Sequence, residues 1–283
     1  MTVTRRGFLA AGAALGTAWA PGNLRGAQAR FKIGVTDWNL KLTGKVEAVA
    51  LAAKIGFAGV EVSLGREPVD NKLPLDNAEI QEKYLAAAAQ NRISVAGTCL
   101  DILHRNYLKS DKLGEKWIAS GIPITKKLNA KVMLLPFFGN GALKTRAEMD
   151  YVGDVLKDLG REAEKAGVIL GLEDTISAED NVRIMERAAS KAVLVYYDVG
   201  NSTNGKFDIV KEIRWLGKDR ICQMHLKDNP HYLGEGTIDF RQVLQAMEDV
   251  GFSGFANLET SSPSQSVESD MRRNLGYIRG LMG

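Results

Sequence analysis

One rhythm runs through this chain and constrains what it can fold into. Short runs rich in β-branched residues recur at Phe31–Val35, Gly59–Val62, Ser94–Thr98, Lys131–Leu135, Val168–Leu172, Ala192–Tyr197, Ile221–Met224 and Gly254–Leu258. Stretches of helical period separate or follow them: Gly44–Ile55, Asn77–Gln90, Leu113–Leu128, Arg146–Ala166, Ala178–Ala189, Asp208–Leu216, Phe240–Val250 and Ser266–Leu281. A strand that passes through a helix of this length returns to the sheet parallel to itself, by a right-handed crossover. Repeated eight times, the pattern predicts a parallel α/β architecture in which every strand ends at the same rim.

Two junctions repeat almost verbatim. Ile55-Gly56-Phe57-Ala58-Gly59-Val60 matches Val250-Gly251-Phe252-Ser253-Gly254-Phe255. In each, one glycine closes a helix, where a left-handed residue is wanted, and a second opens the next strand. No long linker or change of composition divides the chain after Ala29, so residues 30–283 read as one domain. Eight βα units in one domain predict a closed (β/α)8 TIM barrel. An open doubly wound sheet would bring a glycine-rich turn after the first strand, and Val35-Thr36-Asp37-Trp38 is not one.

Residues 1–29 stand apart. They hold Arg5, Arg6 and Arg25 and no acidic residue. A basic start is followed by an Ala/Gly-rich apolar stretch and the small-x-small pattern Ala27-Gln28-Ala29, which reads as an export signal. The paired arginines before Phe8-Leu9 resemble a bacterial twin-arginine signal, which implies export to the periplasm. The apolar stretch is too short and mild to span a bilayer. Three of the 37 basic residues and none of the 34 acidic ones lie in this segment, so the remaining 254 residues carry 34 of each. A neutral body lacks the surplus positive charge that nucleic-acid binding and polybasic membrane association require. The two cysteines, Cys99 and Cys222, fall in strands and read as buried free thiols, with one disulfide the alternative; they are too few for a four-thiolate zinc site.

In a barrel of this kind the active site forms where strands end and loops begin. The last four strands end on Glu173, Asp198, His225 and Glu259, spaced 25, 27 and 34 residues apart, about one βα unit each. Three carboxylates at one mouth repel each other unless a cation compensates. Three carboxylates with one imidazole form a donor set for a divalent ion of hard or borderline character, Mn²⁺ or Mg²⁺ first, then Co²⁺, Fe²⁺ or Zn²⁺. Strand alternation puts Cys222, three residues before His225, on the opposite face. Asp174 and Asp239 read as a loop acceptor and a helix N-cap.

This order of Glu, Asp, His and Glu, with His225-Leu226-Lys227-Asp228 and the later Gly234-Glu235-Gly236-Thr237-Ile238-Asp239-Phe240, resembles the xylose isomerase-like TIM-barrel superfamily and its sugar phosphate isomerase/epimerase branch. The resemblance implies that Glu173, Asp198, His225 and Glu259 are metal ligands and that Glu173 and Glu259 form the acid/base pair. There is one departure. Ketose 3-epimerases usually place a histidine three positions after the metal aspartate, and this chain has Asn201 there, which can hydrogen-bond a hydroxyl but carries no charge. The endonuclease branch of the superfamily needs extra histidines and a basic surface, and this chain has three histidines in all.

The chemistry expected is proton removal beside a metal-polarised carbonyl, an enediolate, and reprotonation on the other side. Trp38 would stack on the sugar, Glu61 and Asn201 would meet its hydroxyls, and His104 and Lys227 would do the same or orient the carbonyl. Outside the cytoplasm, without a phosphate-binding loop, the substrate reads as a free sugar, keto-sugar, cyclitol or glycoside. The alternatives are a lyase or hydrolase of 3-keto-glycosides and a metal-bound sugar-binding protein without turnover. Oligomeric state, a homo-oligomer included, is left open.

Overall fold

Eight strands form, each where the β-branched runs place it: β1 Phe31–Thr36, β2 Gly59–Ser63, β3 Ser94–Cys99, β4 Val132–Pro136, β5 Ile169–Glu173, β6 Val193–Asp198, β7 Ile221–Leu226 and β8 Gly254–Leu258. The computed structural model describes residues 31–283, and the segment 1–29 read as an export signal lies outside them. All neighbouring strands pair in parallel, and β1 closes on β8, giving the expected (β/α)8 barrel. The helices on its outer face are α1 Glu47–Ile55, α2 Ala78–Asn91, α3 Lys112–Lys127, α4 Arg146–Ala166, α5 Ala178–Ala188, α6 Val199–Asn204, α7 Ile209–Leu216, α8 Phe240–Asp249 and α9 Val267–Met282. Among the described residues, no helix is long and apolar enough to cross a membrane.

Local chemistry sets the helix ends. Asn77, Asp111, Ser177, Asp208 and Asp239 each accept a backbone N–H in the first turn of the helix that follows, as short polar side chains do at this position. Thr145 and Glu148 form a reciprocal capping box at the start of α4. At the repeated junctions Gly56 and Gly251 both take the left-handed conformation, with φ of 113° and 70°. Asp174, expected as a loop acceptor, takes the Ile176 N–H and the Asn181 amide.

The main core lies between the outward faces of the strands and the inward faces of the helices. Val35, Val60, Val62, Leu135, Leu170, Leu172 and Ala256 meet Ala52, Ile118, Val152, Leu156, Ile184 and Met271, all fully buried or nearly so. The barrel axis holds a second, smaller apolar group of Cys99, Val132, Leu134, Tyr196 and Cys222. Both cysteines are free and buried. Cys222 corrects the expectation from strict alternation. The register between β6 and β7 slips by one residue, from Val195–Ile221 to Tyr196–Gln223, and such a bulge lets two successive residues face the same side. Cys222 therefore packs in the axis with Tyr196 and donates to the Val195 carbonyl, while Gln223 also points inward and donates to the Ala96 carbonyl. The thiol still lies below the mouth.

The two halves of the second-half motif are one device. The Asp228 carboxylate accepts from the N–H groups of Thr237 and Ile238, and a Cβ at Gly236 would lie 2.3 Å from the Asp228 carboxyl carbon. The glycine-containing loop can close over the end of β7 only because residue 236 has no side chain.

Candidate metal centre

Four strand ends deliver the four expected groups to one place. Glu173 is the last residue of β5 and Asp198 the last of β6, His225 is next to last in β7, and Glu259 follows β8. The β6–β7 register pairs Asp198 with His225, and the Glu259 N–H continues the ladder by donating to the Leu226 carbonyl. One ligand atom from each of Glu173, Asp198, His225 and Glu259 falls within 4.8 Å of all the others. His225 Nδ1 lies 2.8 Å from Glu173 Oε1 and 3.6 Å from both Asp198 Oδ2 and Glu259 Oε2.

Hydrogen bonds aim two of these carboxylates. Asp198 uses Oδ1 to cap the short helix α6, accepting the Asn201 N–H at 2.8 Å. That leaves Oδ2, which is buried and receives no aligned hydrogen bond although Lys227 Nζ approaches to 2.7 Å. Glu259 is held from both sides: Trp38 Nε1 donates to Oε1 at 2.9 Å and Lys227 Nζ to Oε2 at 2.5 Å.

Beneath this cluster lies a buried polar support. His225 Nε2 lies 2.9 Å from Glu61 Oε2, which also accepts from Tyr196 Oη at 2.8 Å and Asn257 Nδ2 at 3.2 Å. Asn257 also donates to Tyr196 Oη and Gln223 Oε1. Glu61 is wholly buried and does not line the mouth. It was expected to meet sugar hydroxyls; instead it lies two residues below the end of β2 and meets the histidine.

Burial pushes the Glu173 carboxyl up to about 8, against the opposing pull of the His225 ring. Burial acts on Asp198 in the same sense, but the Lys227 ammonium and the His225 imidazole outweigh it and hold this carboxyl below its ordinary range. Burial alone would lower His225 and Lys227; the surrounding carboxylates reverse this and raise both. Buried opposite charges produce such shifts of opposite sign.

This donor set fits a divalent ion. Three carboxylates and one imidazole nitrogen converge, the orphaned Asp198 Oδ2 faces the centre, and Glu61 fixes the far nitrogen of the ring so that Nδ1 faces the cluster. A carboxylate behind a ligating imidazole is the usual second layer of a metal site.

A cavity of about 410 Å³ opens above the cluster. Glu173, Glu259, Trp38, His104, Asn201 and Lys227 line it, so every expected site residue outside the buried Asp198–His225–Glu61 base reaches it. Asn201 brings an amide Nδ2 that is buried without a partner. His104 stacks on Phe138 with ring centroids 6.2 Å apart, and burial holds its imidazole below the usual value, in the neutral form. Sequence reasoning missed Thr43, Arg66, Asp101 and Phe138 on the opposite wall. All four follow the ends of β1 to β4, and position after a strand is the only signal that could have found them. Asp101 accepts a hydrogen bond from the Ser63 hydroxyl.

The fold and this constellation define a TIM barrel with three carboxylates and one imidazole gathered at its carboxyl rim. Residues 49–281 match the family model described as xylose isomerase-like TIM barrel, and the chain belongs to that family. It is similar over 226 residues, at 22% identity, to a 2-epi-5-epi-valiolone 7-phosphate 2-epimerase of Actinoplanes sp., covering 76% of this chain and 82% of the relative. An uncharacterized protein of Methanocaldococcus jannaschii is 26% identical over 130 residues, 40% of this chain and 44% of its own length, so the match spans less than half of that relative. Among solved structures, an L-ribulose 3-epimerase superposes with a TM-score of 0.74 at 16% identity, covering 89% of this chain and 94% of its own. A 3-keto-D-glucoside 4-epimerase from E. coli gives 0.72 at 18%, covering 88% and 99%.

Proposed function

We propose that this protein is a divalent-metal-dependent sugar isomerase or epimerase acting on a free sugar, keto-sugar or cyclitol through an enediolate. The observation that carries the reading is the placement of Glu173 and Glu259. They come from β5 and the end of β8, on different sides of the rim, and both line the same cavity. A divalent ion held by Glu173, Asp198, His225 and Glu259, Mn²⁺ first among the candidates, supplies Lewis-acid polarisation of a carbonyl and its neighbouring hydroxyl.

The residues do the rest. One glutamate removes the proton from the carbon beside the carbonyl, and the other returns a proton from the opposite side, inverting the centre or shifting the carbonyl. Trp38 offers its ring to the C–H face of the sugar while its N–H fixes Glu259. The unpartnered Asn201 amide donates to a substrate hydroxyl. Neutral His104, seated on Phe138, can accept or donate there. We also propose that residues 1–29 direct export to the periplasm, where an unphosphorylated substrate would be expected.

The test is solvent isotope exchange. With Mn²⁺ and a panel of keto-sugars in D₂O, NMR should show deuterium entering at one carbon. Glu173→Gln and Glu259→Gln should each lose turnover by about 10²–10⁴-fold, with exchange surviving only in the variant that keeps the abstracting base. Metal content is measured beside each rate. If both variants keep their metal and near-wild-type turnover, the acid/base assignment fails. Absence of exchange with every sugar would favour a binding protein without turnover.

One second reading is favoured by the E. coli neighbour whose name records a 3-keto-D-glucoside. The same enediolate can expel a leaving group, which would make the enzyme a lyase or hydrolase of 3-keto-glycosides. Release of the aglycone separates this from epimerisation, which leaves the mass unchanged.

A further inference from the structure

Lys227 brings a side-chain ammonium into the cluster of candidate ligands. Its Nζ lies 2.7 Å from Asp198 Oδ2 and 2.5 Å from Glu259 Oε2. These are the same two oxygens that stand 3.6 Å from His225 Nδ1 and complete the ligand cluster. The ammonium is no surface group that strayed inward. Its side chain is 14% exposed, and the stem lies so close to the start of α6 that a Cβ at Gly200 would come within 2.5 Å of the Lys227 Cγ. The approach to Asp198 Oδ2 is close but not aligned as a hydrogen bond, so the attraction there is that of a charge rather than of a directed donor.

We propose that Lys227 is an internal cation that shares two ligand oxygens with the divalent ion and so sets the affinity and loading rate of the site. This rests on the reading that Glu173, Asp198, His225 and Glu259 hold such an ion. Three carboxylates draw a dication strongly, and a fixed ammonium among them cancels part of that pull. The cancellation is substantial because these charges are largely buried and only partly screened. The same ammonium keeps the carboxylates from repelling one another when no dication is present. Loading then requires the ammonium to withdraw from Asp198 Oδ2 and Glu259 Oε2 as the ion takes them. Lys227 is a positioning residue in this account, and its effect is on the metal rather than on bond making.

The sign of the effect distinguishes this from a supporting role. If Lys227 merely braced the two carboxylates, removing it would loosen the site. If it competes, removing its charge tightens the site. Mn²⁺ affinity is measured by calorimetric titration of chelator-stripped protein for wild type, Lys227→Met, Lys227→Gln and Lys227→Arg. The neutral variants should bind at least about tenfold more tightly, and Lys227→Arg no more tightly than wild type. The fluorescence of Trp38, whose N–H holds Glu259, should report faster loading in the neutral variants, with Trp38→Phe as the control for signal from the other tryptophans. Should the stripped neutral variants not fold, they are prepared with Mn²⁺ throughout, and transfer of the ion to excess chelator should be at least about tenfold slower than from wild type. Equal or weaker affinity, or equal or faster transfer, overturns the proposal. The measurement uses no substrate, so it stands or falls separately from isotope exchange. Lack of Mn²⁺ binding in wild type would instead sink the metal reading on which it rests.

Discussion

Glu61→Gln isolates the charge beneath the histidine from its geometry. All three polar contacts of the Glu61 side chain fall on one oxygen: Oε2 accepts from Tyr196 Oη, Asn257 Nδ2 and His225 Nε2, whereas Oε1 is buried without a partner. A glutamine with its carbonyl in the Oε2 position keeps every contact and places the amide where Oε1 already stands alone. The fold then loses no hydrogen bond and exchanges one unsatisfied buried atom for another, so the change in stability should stay within the roughly 1–3 kcal/mol of a single such group. Metal binding should weaken for a separate reason. A ligating imidazole gains basicity from an anionic partner on its other nitrogen, and losing a partner of this kind costs roughly 10–100-fold in affinity. That is about 1.4–2.8 kcal/mol at about 1.4 kcal/mol per tenfold. Calorimetric titration with Mn²⁺, beside a urea unfolding curve for each stripped protein, measures both quantities. A variant that folds like wild type and binds Mn²⁺ within twofold of it would refute the reasoning, because the Glu61 charge would then contribute nothing to the site.

Two further outcomes follow from separate parts of the chain. Burial pushes the Asp37 carboxyl up to about 8, and its Oδ1 has no partner. The unfolded chain ionises near the ordinary 3.8. The proton is therefore retained only in the folded state between these values, and the site's contribution is full below about 3.8 and lost as pH rises to about 8. Asp37→Asn should remove this slope, so its stability relative to wild type rises from pH 5 to pH 8 in urea unfolding; equal slopes would contradict the shift. Intact-mass measurement on exported protein should show a chain beginning near Arg30, and a mass that retains Arg5 and Arg6 would refute the signal assignment.

The barrel was legible because its evidence is periodic. All eight strands lie within a residue or two of where the β-branched runs put them, since a parallel strand buried on both faces must be a short apolar run. The helix α6 was missed for the opposite reason. Val199–Asn204 is six residues of mostly poor helix formers. It forms because Asp198 caps it, and that same cap turns the other carboxylate oxygen toward the cluster. The four strand-end groups were legible because their spacing equals the repeat. Glu61 was assigned to the wrong layer by an error of only one or two residues in the end of β2, enough to move a side chain from the rim to the floor. Arg66, Asp101 and Phe138 carry no pattern of their own: they matter only because loops from the first four strands lean over the mouth. Cys222 was misplaced because alternation cannot anticipate a one-residue slip in register.

The polar floor of the site explains why this barrel fills its axis as it does. Hydrophobic layers would be the less costly filling, and at the level of Leu134 and Cys222 the axis is apolar. Against this group stand Glu61, Gln223 and Asn257, which with the Tyr196 hydroxyl form a buried polar set; burying polar groups is costly unless they are hydrogen-bonded. Each makes its hydrogen bonds within the set or to the Ala96 carbonyl, and the set ends on His225 Nε2. These bonds reduce the penalty of burying four polar groups, although Glu61 Oε1 and Asn257 Oδ1 keep no partner, and the geometry fixes the direction of one imidazole. The shape of neighbouring residues enforces the arrangement: a Cβ at Gly34 would lie 2.0 Å from the Asn257 side-chain oxygen, and one at Gly97 would lie 2.9 Å from the oxygen of Gln223. Glycines on β1 and β3 thus make room for amides from β8 and β7. The histidine is aimed by residues from six of the eight strands, so a ligand atom at the rim depends on packing that spans most of the barrel.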